Sequence, residues 1–201
     1  MSIEQKTLDT ILYKNVIKLI ESKFSKKKAA LVCQFAHYFC ASISSNDFEY
    51  KNANELYAPI VSLWNYMQSN NDDSQVRVYT PDFETHGWQS RHTVIELVHK
   101  DMPFLVDSVR MELNRMGINI HLHIHTPLNL TRDPAGKISD LSRPGADSLH
   151  TSLTPMYLEI DRQLDQHELE LIQINLQEIL ADVRVAVADW QPMKNQLNQV
   201  I

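Results

Sequence analysis

Apolar side chains recur along the first stretch at Leu8, Ile11, Leu12, Val16, Leu19, Ile20 and Phe24. Steps of three and four residues put them on one face, which predicts an amphipathic helix. Ser25 followed by Lys26, Lys27 and Lys28 closes it, with cations suited to a helix C-terminus. A second helix runs through AALVCQFAHYFCASI, with Leu31, Phe35, Tyr38 and Phe39 as its core side. Ser44 to Asp47 reads as a turn. A third helix opens near Asn52, where Glu55 completes a capping box, and Pro59 about one turn in predicts an irregular start. Residues 1–70 therefore read as a helical layer, and Asn70-Asn71-Asp72-Asp73-Ser74 as the linker that ends it.

The periodicity changes after residue 75. VRVYT (76–80) and HTVIELVHK are β-branched and read as strands. Pro103, at a first helical position, introduces PFLVDSVRMELNRM, and Gly117 suits the residue that ends that helix. INIHLHIH then alternates, with Ile118, Ile120, Leu122 and Ile124 on one face and Asn119, His121, His123 and His125 on the other. This predicts a strand buried on one side. Residues 132–150 read as a long loop or loose hairpin, and TPMYLEIDR as a strand with Met156, Leu158 and Ile160 inward. The last helix carries Leu169, Ile172, Leu176, Ile179, Val183, Val187 and Trp190, and Pro192 ends it.

From residue 92 the order is thus β-α-β-β-α, the ferredoxin-like split βαβ unit without its closing strand. Either VRVYT supplies that strand from in front, or the chain stops short of it. The fold class is α+β: a helical layer (1–70), an antiparallel sheet domain with a long final helix (75–192) and a tail (193–201).

Composition narrows the chemistry. The 201 residues carry 19 basic and 25 acidic side chains, a net charge of −6 that argues against non-specific nucleic-acid binding. The four glycines make neither G-x-G-x-x-G nor a P-loop. No apolar run approaches the ~20 residues of a membrane span, and no leader-like core opens the chain. With two cysteines only, a cytoplasmic location is expected. Charge is polarised: residues 1–28 hold seven lysines against three acids, and residues 159–191 hold eight acids against two arginines. Both read as solvated helix faces.

His121, His123 and His125 alternate on one strand, and same-face neighbours about 7 Å apart reach one zinc ion. His92 or His99 would supply a further ligand; the plainer reading is an interface-facing side of the sheet. Asp101, Asp107 and Glu112 surround a strand-to-helix turn, where a helix N-terminus favours anions. Cys33 and Cys40, two helical turns apart, read as buried thiols, and Trp64, Trp88 and Trp190 as packing anchors. No catalytic constellation stands out, which reads as a non-catalytic domain.

HGWQSRHTVIE (86–96), DMPFLVDSV (101–109), INIHLHIH (118–125), MYLEIDRQ (156–163) and ILADVRVAVADW (179–190) together form a particular pattern. It resembles the N-terminal region of the very large bacterial NAD-specific glutamate dehydrogenases, over roughly residues 45–192. The resemblance implies an ACT-like module with a helical extension, with catalysis and NAD binding in a domain far downstream. It implies a parent reaction that deaminates L-glutamate to 2-oxoglutarate with NAD⁺ as hydride acceptor. It also implies a homo-oligomeric parent whose other subunits and remaining chain are this segment's partners.

Amino-acid-binding ACT modules place D-x-P-G-L at the first strand-helix turn. Here the turn is Asp101-Met102-Pro103-Phe104-Leu105, with a phenylalanine ring where the glycine stands. His99, Asp101, Met102, Pro103, Phe104 and Asp107 are the candidate effector-binding residues, and His121, His123 and His125 the candidate interface. The readings that remain are a regulatory and assembly segment, an amino-acid sensor, and a metal-binding strand.

Overall fold

A computed structural model describes residues 11–43, 51–69, 74–145 and 152–200, with the backbone alone for Ser69 and for 189–200. Three helices come first: α1 (Ile11–Lys23), α2 (Lys26–Ala41) and α3 (Ala53–Ser69). They are followed by β1 (Ser74–Tyr79), a short α4 (Phe83–His86), β2 (Thr93–Lys100), α5 (Leu105–Arg115) and β3 (Ile120–His125). A hairpin of β4 (Leu128–Arg132) and β5 (Ile138–Ser142) precedes β6 (Ser152–Ile160) and the long α6 (Gln166–Val200). The turn expected at 44–47 and most of the expected linker lie outside the described residues; Ser74 opens β1.

All strand pairs are antiparallel, and β2 and β6 form the sheet centre. β1 lies on the free edge of β2, pairing Arg77 with Glu96. It takes the place of the closing ferredoxin-like strand from in front, the first of the two alternatives. On the other edge of β6, β3 pairs along Met156–Ile160 and β4 along Ser152 and Leu153. The Thr126 amide bonds the Pro155 carbonyl between them. Of the two readings of that segment, a long loop or a loose hairpin, the second holds for its first part: β5 pairs with β4 in a hairpin that widens the sheet. Its β5 residues Ile138 and Leu141 are fixed by burial against the helices rather than by alternation.

The sheet is covered on both faces, which is why β2 and β6 are buried almost throughout. On one side Leu105, Val109 and Leu113 of α5 and Ile172, Leu176 and Leu180 of α6 pack on Ile95, Met156 and Leu158. On the other, Phe35, Phe39 and Trp64 of the helical layer pack on Val94, Val98 and Tyr157, with Phe39 and Tyr157 centroids 5.9 Å apart. The Gln34 amide and the Arg132 guanidinium add hydrogen bonds from helix to hairpin and back, to the Leu141 and Met67 carbonyls. The lysine-rich α1 and the acid-rich α6 therefore lie in opposite layers.

Local signals explain several boundaries. Asn52 Oδ1 accepts from the amides of Asn54 and Glu55, and Glu55 accepts from the Asn52 amide, the reciprocal capping box. The helix then runs through Pro59. Gly117 has φ +74°, and the Ile118 amide returns to the Leu113 carbonyl. α4 begins at Asp82, whose carboxylate accepts from the Thr85 amide at 2.7 Å.

Four expectations are corrected. Pro103 does not open a helix: α5 starts at Leu105, capped by Phe104 at φ +67°. Hydrogen bonds at Asp101 hold the chain to β6 past the end of β2 and leave Met102, Pro103 and Phe104 to turn it into the helix. α6 does not stop at Pro192 but continues to Val200, because proline removes one helical hydrogen bond while good helix formers follow. Its third buried position is Leu180 rather than Ile179. Finally, the strand alternation breaks between Ile120 and Leu122, where a bulge sets two residues against Glu159. Ile118 and Ile120 consequently join the α5–α6 side, and Leu122 and Ile124 the helical layer.

Candidate functional site

The turn between β2 and α5 is tied to the start of β6. The Asp101 amide bonds the Ser152 carbonyl at 3.0 Å, and the buried Thr154 hydroxyl donates to Asp101 Oδ1 at 2.8 Å. His99 points inward, 2% exposed, with Nδ1 2.7 Å from the Lys100 carbonyl. Met102 packs against the α5–α6 core, and Pro103, Phe104 and Asp107 are exposed. Phe104 is the sole non-glycine residue of positive φ among the described residues. Its backbone thus takes a conformation that favours glycine, while its ring stands 57% exposed. Asp107 sits in the first turn of α5, where it complements the helix dipole. The turn brings five of the six candidates to one surface and buries His99 beneath it.

The histidine strand does not present three rings to one side. Because of the bulge, His121 turns toward the helical layer: its Nε2 lies 2.7 Å from Asp161 Oδ1, and its ring centroid lies 4.3 Å from that of His92 at a tilt of 33°. His123 and His125 pair with Leu158 and Met156 on the opposite face, with ring centroids 5.5 Å apart. His123 is pushed down to about 4 by burial, then by repulsion from His125 and from Arg110 on α5. Burial also lowers His92, with His121, Lys51 and Arg91 adding to the effect and Glu159 opposing it. Among the described residues no group of three or more His, Cys, Asp or Glu side chains is placed to hold a metal ion. Both cysteines are free thiols, and burial pushes Cys40 up to about 12.

Two acid-base pairs escaped the reading of the sequence. Glu96, fully buried on β2, is paired with Arg77, which also stacks on Tyr66 and Tyr79 at 4.6 and 4.8 Å. Burial raises Glu96 despite the arginine. Glu159 meets Lys51 at 2.7 Å and accepts from the Tyr157 hydroxyl. Both acids point to the helical layer, and Glu159 and Arg77 border a cleft of about 1380 Å³ between α3, the α4 loop and the far end of β6. The HGWQSRH stretch lines it. The crowding of aromatic and basic types there was the available signal.

A split βαβ sheet with two helices on one face is the ACT-like architecture. Residues 35–176 match the family model described as "Glutamate dehydrogenase, ACT1 domain", and the chain belongs to that family. It is 39% identical over 200 residues to the NAD-specific glutamate dehydrogenase of Halomonas elongata, covering 98% of this chain and 12% of that one. It is 40% identical over 172 residues to the NAD-specific glutamate dehydrogenase of Pseudomonas aeruginosa, covering 85% of this chain and 11% of that one. The chain therefore spans about an eighth of the length of these relatives. No solved structure shows a significant match. No helix among the described residues is long and apolar enough to cross a membrane.

Proposed function

We propose that this chain is a non-catalytic regulatory and assembly segment of a large NAD-dependent glutamate dehydrogenase. In that reading the parent oxidises L-glutamate to 2-oxoglutarate and ammonia, and NAD is held elsewhere in the parent. The observation that carries the assembly role is the outer surface of the α5–α6 layer. Phe104, Met111, Leu171 and Ile174 stand there 40–70% exposed, in a chain that is a small part of its relatives. Exposed apolar groups of this size mark surfaces that other parts of a protein cover. The partners are further subunits and the remainder of the parent chain.

The test is a parent enzyme carrying Phe104→Ser, Met111→Ser and Ile174→Ser, examined by sedimentation and steady-state turnover. A smaller assembly with turnover per subunit retained is the expected result. Unchanged assembly, or turnover lost with assembly intact, overturns the reading. A second reading, an amino-acid effector at the 99–107 turn, is favoured by the glycine-like backbone at Phe104. An amino acid that raises the melting temperature, with the gain enlarged in Phe104→Gly, would carry it.

A further inference from the structure

We propose that the cleft between α3, the α4 loop and β6 binds a small anionic ligand of the nucleotide class, at a site separate from the β2–α5 turn. It lies at the opposite end of β2, whose eight residues separate the two by about 25 Å. It also opens on the helical-layer side of the sheet, whereas the turn belongs to the α5–α6 side.

Charge is the first support. Lys23, Lys51, Arg77, Arg91 and Arg162 line the cleft, against Glu55 and Glu159. Lys51 is matched by Glu159, and Arg77 by Glu96 beneath it. That leaves Lys23 at the end of α1, Arg91 in the loop after α4 and Arg162 beyond β6, facing one exposed glutamate. A chain of net charge −6 thus gathers cations from three separate elements around one concavity. Such convergence suits a ligand with more than one negative group, since each element can meet a different group.

Shape and lining are the second support. The volume exceeds the roughly 300–1,000 Å³ of ordinary small-ligand pockets, room for a ring and an anionic tail together. Tyr57, Trp88 and the 62% exposed Phe83 offer aromatic surface for a planar base. Loop geometry holds the cations in place: the Arg162 guanidinium donates to the Ser90 carbonyl at 2.7 Å, and Lys23 sits 4.5 Å over the Tyr57 ring. His92 and His121, with ring centroids 4.3 Å apart, line the cleft beside Glu159.

The experiment is calorimetric titration of the 201-residue chain with ADP, GDP, tripolyphosphate and adenosine, followed by Trp88 fluorescence. Saturable binding of a nucleoside diphosphate is expected, tighter than tripolyphosphate or adenosine alone. Lys23→Glu with Arg91→Glu should weaken it about tenfold or more, while the exposed Lys14→Glu leaves it unchanged. The milder Lys23→Gln with Arg91→Gln gives the same reading should charge reversal disturb folding. No binding by either nucleotide, or binding indifferent to these substitutions, overturns the proposal. Tripolyphosphate binding as tightly as the nucleotides overturns the assignment to the nucleotide class.

Discussion

The Arg77 guanidinium and the Glu96 carboxylate face each other across β1 and β2, and the acid has no exposed surface. The Tyr79 hydroxyl donates to the same carboxylate, and Ser62 joins the group through Arg77. A charge so placed is tolerable only while its partner remains.

Arg77→Met should therefore cost about 3 kcal/mol, the lower end of the range for a broken buried pair because Arg77 is itself partly exposed. The sign with pH follows from the carboxyl being raised. The folded state then binds a proton more readily than the unfolded chain, so the variant gains stability as pH falls and loses it as pH rises through the raised value. Urea unfolding of Arg77→Met at pH 5 and pH 7.5 checks this. Adding Glu96→Gln should recover most of the loss and abolish the pH difference.

His123 should govern part of the acid sensitivity. Its folded-state pKa of about 4 lies below the ordinary histidine value of 6.5. The unfolded chain thus binds the extra proton between these values, and the stabilisation present above pH 6.5 is lost as pH falls toward 4. Replacing His123 with Leu should flatten the dependence of the unfolding midpoint over that window. Replacing the exposed His125, whose repulsion adds to the lowering of His123, should weaken that dependence less than replacing His123 does.

Phe104 and Gly117 both occupy left-handed backbone, at φ +67° and +74°, with opposite side-chain consequences. Phe104→Gly should stabilise by up to about 1 kcal/mol, because the left-handed conformation penalises a side chain. Gly117→Ala should destabilise by about 1 kcal/mol. No atom lies within 4 Å of the added Cβ, so the cost is conformational alone. Paired thermal melts decide both.

The periodic elements were legible because their causes are local. Asn52 and Glu55 announce a capping box, Gly117 a helix end, and Leu105, Val109 and Leu113 a buried stripe. The bulge at His121 was not legible, since INIHLHIH alternates without interruption and its two-against-one register is set by Glu159 on β6. That single shift parts His121 from His123 and His125. The β4–β5 hairpin was legible only as one of two alternatives, because Ile138 and Leu141 are buried by helices far earlier in the chain. TVIELVHK carried a usable signal, because an almost unbroken apolar run on a central strand indicates cover on both faces. The cleft draws its lining from six separate segments, and spacing alone does not bring them together.

The most direct measurement removes this segment from a parent glutamate dehydrogenase and follows turnover and sedimentation together. A regulatory and assembly segment predicts that turnover per subunit survives while the assembly becomes smaller or the response to effectors is lost. Loss of turnover with assembly preserved would place residues of this segment in the chemistry and contradict the account.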